Sequence, residues 1–193
     1  HSAALCPDCA RELRTEYRYR GEFSVPGADG AAAALCYRGR VKEALHRFKF
    51  GGRPQYAAWF AAEMAAVLAA QLDRWQPTCI TYLPLGFLRA RERGYNQAEL
   101  LARPIAQSLS LPCVSALRKR PFTARQSVQQ DAAARRKNAA GSLLPGRVPL
   151  AGERVVVIDD IVATGSTAAD AAHVLRSMGA ACVFVLAAAK TVD

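Results

Sequence analysis

Asp159 and Asp160 close an apolar run, Val155 to Ile158, and are followed by Ala163, Thr164, Gly165, Ser166 and Thr167. Ionised carboxylates only accept hydrogen bonds, so their natural partners are hydroxyls or a metal ion, and a ribose diol supplies two hydroxyls at once. Each charge-assisted bond of that kind is worth about 1.5 to 3 kcal/mol net. Gly165 lets the backbone turn tightly, and Ser166 and Thr167 offer hydroxyls. The first N–H groups of the helix expected over 168–178, with Gly179 as its cap, point the same way. Such a turn is an anion site suited to a terminal phosphate. Acids followed by a phosphate turn are the parts that a phosphorylated sugar needs. A Walker phosphate loop would place Lys after its last Gly, whereas Gly165 is followed by Ser166. A plain buried strand with two solubilising acids would leave every residue after Asp160 without a role.

The elements that must position these groups follow from the apolar pattern. Val155 to Ile158 reads as a strand covered on both faces, with the acids at its carboxyl end, where open α/β sheets place ligands. Further strands are expected over 31–37, 79–85, 114–117 and 182–188. Helices are expected over 42–50, stopped by Gly51 or Gly52, then over 56–72 and 98–109. Strands and helices alternate, which predicts an α/β fold with an open, mainly parallel sheet flanked by helices. Residues 1–30 read as a small N-terminal segment, and 31–193 as the main domain.

The formal net charge is +10 over 193 residues, which calls for an anionic partner. The excess falls mainly over 38–53, 89–93 and 118–137. Arg89, Arg91 and Arg93 alternate between Gly86 and Gly94. A loop there would gather guanidinium groups around a pyrophosphate, which Arg recognises with paired donors. Arg118, Lys119, Arg120 and Arg125 belong to a long polar excursion that also holds a basic helix expected over 131–138, and Lys49 lies in the first basic stretch. Such residues suit a leaving group under a flexible loop or a nucleic-acid backbone, and the sequence leaves both open. Solvated basic faces are the bland alternative for each run.

Of six cysteines, Cys79, Cys113 and Cys182 lie in apolar runs and read as core residues. Cys6 and Cys9 have the spacing of half a zinc site, which Cys36 or an upstream pair would have to complete. No stretch reaches about 18 uninterrupted apolar residues and no leader pattern opens the chain, which predicts a cytoplasmic protein without membrane insertion.

The loop from Asp159 to Thr167 resembles the phosphoribosyl pyrophosphate (PRPP) loop of type I phosphoribosyltransferases, with Ala163 where many members have Thr. Three more blocks extend the resemblance to the ComF (ComFC/GntX-like) family. These are Leu45 to Gly52, Pro84-Leu85 through Arg93-Gly94-Tyr95-Asn96-Gln97, and Thr123 and Gln126 with Arg136-Lys137-Asn138. The resemblance implies a type I phosphoribosyltransferase fold. It further implies two acids on the ribose hydroxyls, the turn on the 5-phosphate, and PRPP bound with Mg²⁺. A competence role in natural transformation is implied as well, handling single-stranded DNA after uptake together with competence or recombination-loading proteins. The family often carries two or more Cys-x-x-Cys pairs in an N-terminal zinc ribbon, whereas this chain has only Cys6 and Cys9. Two functions are therefore in view: an enzyme transferring phosphoribose to an unidentified acceptor with release of pyrophosphate, or a catalytically silent module that binds single-stranded DNA or serves as a scaffold in DNA uptake.

Overall fold

The computed structural model describes residues 6–120 and 141–192, apart from the side chains of 87–89. Its centre is a four-stranded sheet of β1 (Gly30–Cys36), β2 (Cys79–Tyr82), β5 (Arg154–Val162) and β6 (Cys182–Lys190) in the order β1-β6-β5-β2. All neighbours are parallel, with Val156 opposite Phe184 and Ile80 opposite Val156. The central strands are apolar because both faces are covered: Val155 to Ile158 and Val183 to Ala189 are all buried. A short antiparallel ribbon, β3 (Leu117–Lys119) with β4 (Leu143–Pro145), stands beside the sheet.

Helices flank the sheet. In chain order they are α1 (Pro7–Glu16), α2 (Gly39–Phe50), α3 (Tyr56–Ala69), α4 (Leu72–Trp75), α5 (Phe87–Arg93), α6 (Gln97–Ser108) and α7 (Ser166–Ser177). The alanine-rich α3 packs against α6, β1 and β6, while α7 packs against β5, β6 and the ribbon. Val25, Ala33, Val162, Ala168, Val185 and Ala187 form a second apolar cluster apart from the main core. Among the described residues, no helix is long and apolar enough to cross a membrane.

The described part of the N-terminal segment is built into this body. Leu13 of α1 is buried in the main core, and Arg14 donates to the buried Glu63 of α3 through Nε at 2.9 Å. Tyr19 N–H donates to the Ala34 carbonyl and Cys36 N–H to the Tyr17 carbonyl, so this stretch runs antiparallel along edge strand β1. Pairing of that kind occupies the polar groups of an otherwise open sheet edge.

Two expected elements differ. The stretch from Gly86 to Gly94, expected as a loop, holds helix α5, with Gly86 as N-cap and Gly94, at φ 75°, ending it in the left-handed region. The strand expected over 114–117 begins at Leu117, while Cys113 makes only an isolated bridge to Ile80. The helix expected over 131–138, together with Thr123, Arg125, Gln126, Arg136, Lys137 and Asn138, lies outside the described residues.

Candidate functional site

Strand β5 continues four residues beyond Ile158, so both acids lie within it rather than at its end. What exposes them is the shorter neighbour: β2 stops at Tyr82, opposite Ile158, and from Asp159 onward β5 is paired only with β6. Successive side chains of a strand point to opposite faces, yet the two carboxylates stay close enough for the charge of Asp160 to act on Asp159. Asp159 is half-buried and lines a surface cleft with residues 161–168. Asp160 is 9% exposed and pairs with Lys49 of α2, Nζ to Oδ1, at 2.9 Å. Asp159 Oδ1 accepts from the Asp160 N–H at 2.7 Å.

The surroundings of Asp159 favour its neutral form. Burial first, and then the neighbouring Asp160 charge, push the Asp159 carboxyl well above the usual carboxylate range, with Lys49 and the Asp160 N–H pulling the other way. An acid under that load favours ligands that donate hydrogen bonds or bring positive charge. A sugar hydroxyl is of the first kind and a magnesium ion of the second.

The turn after β5 has the predicted form. Gly165 sits at φ 77° and forms the N-cap of α7, which starts at Ser166, two residues earlier than expected. Thr164 Oγ1 accepts from the Ser166 N–H at 3.4 Å and donates to Ser166 Oγ at 3.2 Å. Ala163, Thr164 and Ser166 are exposed at the cleft, and Thr167 is half-buried. Thr191 N–H donates to the Val162 carbonyl at 3.1 Å, fixing the base of the turn. The first N–H groups of α7 and three hydroxyls therefore line the same cleft as Asp159, an arrangement able to hold a phosphate beside a carboxylate.

The predicted pyrophosphate arginines are not gathered by a loop. Arg89, Arg91 and Arg93 lie on α5, where Arg91 and Arg93, two residues apart, point about 200° from one another. The side chain of Arg89 lies outside the described residues, and Arg91 is exposed. Arg93 places its guanidinium 4.5 Å from the Phe50 ring centre and donates to Gln97 Oε1 at 3.2 Å. Lys49, assigned above to a flexible loop or nucleic acid, is instead brought to the acid pair. Arg118, Lys119 and Arg120 brace the ribbon: Arg118 donates to the Pro145 carbonyl, Lys119 to Ser142 Oγ and Arg120 to the Gly141 carbonyl. Arg118 and Arg120 remain exposed.

The two cysteines at the N-terminus cap a helix. Cys6 Sγ accepts from the Cys9 N–H at 3.3 Å at the start of α1. Hydrogen bonding to Cys9 lowers the Cys6 thiol below its ordinary value and raises that of Cys9. Cys36 lies at the end of β1, with its thiol directed at the Arg18 carbonyl. Among the described residues, no three of His, Cys, Asp and Glu cluster as a metal site. Two thiols fall short of a tetrahedral zinc set, so the zinc expectation does not fit the described residues alone.

One residue of the neighbourhood escaped the sequence reading. Asp170 of α7 accepts from the N–H groups of Gly141, Ser142 and Leu143 at 2.9, 3.0 and 3.1 Å. It ties β4 to the helix that carries the phosphate turn. Its position one helical turn after Ser166 was the available signal.

The phosphoribosyl transferase domain family matches residues 57–191. The chain is 31% identical to the DNA utilization protein YhgH of Salmonella typhimurium, over 97% of this chain and 90% of that protein. It is 28% identical to competence protein F of Haemophilus influenzae, over 92% and 81% of the two chains. Among solved structures it superposes on the glutamine PRPP amidotransferase of B. subtilis with a TM-score of 0.47 and 22% identity, covering 67% of this chain and 26% of that one.

Proposed function

From the premise that this chain belongs to the ComF family of phosphoribosyl transferase-domain proteins, we propose that it binds PRPP in the cleft between Asp159 and the turn 163–167. The observation that carries the proposal is the shared cleft: one acid of the pair and the whole phosphate turn line the same opening, with the backbone turned at Gly165. The 5-phosphate would rest on the first N–H groups of α7 and the hydroxyls of Thr164, Ser166 and Thr167. The ribose hydroxyls would donate to Asp159 and Asp160.

Magnesium fits this donor set. Mg²⁺ takes oxygen ligands and is commonly held by one or two carboxylates together with substrate phosphates. Asp159 and Asp160 would supply the protein's share, and the ion would neutralise charge on the pyrophosphate. In the transfer itself, an acceptor's lone pair forms a bond to the anomeric carbon while the bond from that carbon to the pyrophosphate oxygen breaks, the electron pair leaving with pyrophosphate. Positive charge developing on the sugar would be stabilised by the acid pair, and groups preorganised in this way typically contribute about 100-fold to 1000-fold.

A second reading has its own observation. Phe50 is 58% exposed at the end of the basic helix α2, with Arg93 over its ring and exposed Lys42, Arg47 and Arg53 along the same stretch. An exposed aromatic among cations is a stacking platform for single-stranded nucleic acid. The names of the relatives, competence and DNA utilization, point the same way. The two readings are compatible, with a PRPP site beside a strand-binding face.

The test is calorimetry of PRPP with Mg²⁺ on the parent protein and on Asp160→Asn. Strong weakening in the variant is expected. Equal affinity in the two proteins would show that the acid pair is not the ribose site.

A further inference from the structure

Two sequence blocks, 45–52 and 93–97, remain without a part in the proposed chemistry, yet the fold brings both to one ammonium. Lys49 reaches Asp160 Oδ1 at 2.9 Å, with the two side chains 21% and 12% exposed. The residues on either side of it are held by the second block. Phe48 is fully buried against Phe60 and Tyr95, and the Tyr95 phenol donates to the Phe48 carbonyl. Phe50 lies under the Arg93 guanidinium, which is itself bonded to Gln97. Asn96 then ties that block to the sheet, donating to the Leu83 carbonyl at 3.0 Å just beyond β2, and caps α6 through the Ala98 N–H. Gly51 ends α2 directly after the pair, and its N–H is bonded to the Arg47 carbonyl at 2.8 Å.

A lysine on a flexible four-carbon stem costs side-chain entropy to hold in one place. Here that place is fixed from both chain neighbours, and it lies beside two adjacent carboxylates that would otherwise repel each other. An ordinary surface ion pair shows no such scaffolding.

We infer that Lys49 is a positioning residue of the ribose site: it holds the Asp160 carboxylate in a fixed orientation as an acceptor, and the Arg93–Gln97 block places it. The inference rests on the PRPP reading and deepens it. A carboxylate oxygen has room for two donors, so Lys49 can keep its bond while a sugar hydroxyl takes the other lone pair. The ligand class this favours is a furanose phosphate with free adjacent hydroxyls.

The test compares binding of ribose 5-phosphate, 2-deoxyribose 5-phosphate and inorganic phosphate to the parent protein, Lys49→Met and Lys49→Arg, by calorimetry or competition. The parent should prefer ribose 5-phosphate to its deoxy analogue. Lys49→Met should lose about tenfold or more in ribose 5-phosphate affinity, the size of one charge-assisted hydrogen bond. Its affinity for inorganic phosphate, which engages only the turn, should stay unchanged. Lys49→Arg should recover part of the loss, which a purely structural role would not require. If Lys49→Met does not fold, Lys49→Gln is measured in its place with the same expectation. Unchanged or tighter ribose 5-phosphate binding in the folded neutral variant overturns the inference while leaving the PRPP reading intact. A parent protein that binds none of the sugar phosphates overturns both.

Discussion

Replacing Asp170 with Ala removes one carboxylate that accepts three backbone N–H groups, those of Gly141, Ser142 and Leu143, and also contacts Ser142 Oγ at 3.3 Å. A hydrogen bond to a charged acceptor is worth about 1.5 to 3 kcal/mol when sheltered. Asp170 and Ser142 are half-buried and Gly141 is exposed, so water can replace part of each bond, whereas Leu143 is buried and its N–H would lose its partner. Taking about 1 kcal/mol for each of the three bonds gives a loss near 3 kcal/mol. For a chain of this length each kcal/mol lowers Tm by about 2 to 4 °C, so Asp170→Ala should melt about 6 to 12 °C lower. Asp170→Asn, which keeps one oxygen, should lose less. Thermal melts give the totals, and amide hydrogen exchange locates them: the Gly141, Ser142 and Leu143 amides should exchange faster while those of β6 do not. A melting temperature within about 1 °C of the parent for Asp170→Ala would refute the view that this carboxylate fastens β4 to α7.

Other outcomes follow from the same geometry. Asp159→Asn should stabilise the ligand-free protein at neutral pH while weakening sugar-phosphate binding. The raised carboxyl of Asp159 contributes stability that is complete below its ordinary value of 3.8 and is lost as pH rises through its folded-state value, so the stability gap between variant and parent should close as pH falls toward 4. Melts across pH that show no such convergence would contradict the burial argument. Gly165→Ala meets no obstacle nearer than Val25 Cγ2 at 3.5 Å, so its cost is the backbone strain at φ 77°, about 1 to 2 kcal/mol and a Tm lower by roughly 2 to 8 °C. Phe50→Ala should weaken single-stranded oligonucleotide binding by about 1 to 3 kcal/mol and leave PRPP binding intact; equal oligonucleotide affinity at matched salt would remove Phe50 from that face.

The sequence showed strand β5 and its turn because everything needed is local: four β-branched residues, two acids, and a glycine where a left-handed backbone is required. The parallel α/β order was legible for the same reason, since β1, β2, β6, α2, α3, α6 and α7 each announced themselves by their own apolar pattern. The stretch over 86–94 was misleading because glycines bound loops and helices alike; here Gly86 and Gly94 mark the two ends of α5. Lys49 was read as one cation of a basic run, since nothing local distinguishes a lysine that faces solvent from one that faces a carboxylate more than 100 positions away. The acids themselves were placed at a strand end, whereas it is the shortness of β2 that opens them, a property of the neighbouring strand.

The most direct measurement of the central claim is a crystal structure of this protein with ribose 5-phosphate. The phosphate should lie on the backbone N–H groups and hydroxyls of 164–167, with ring hydroxyls within hydrogen-bond distance of Asp159 or Asp160 and the Lys49–Asp160 pair kept. A sugar phosphate bound elsewhere, or bound with its hydroxyls turned away from both carboxylates, would contradict the account.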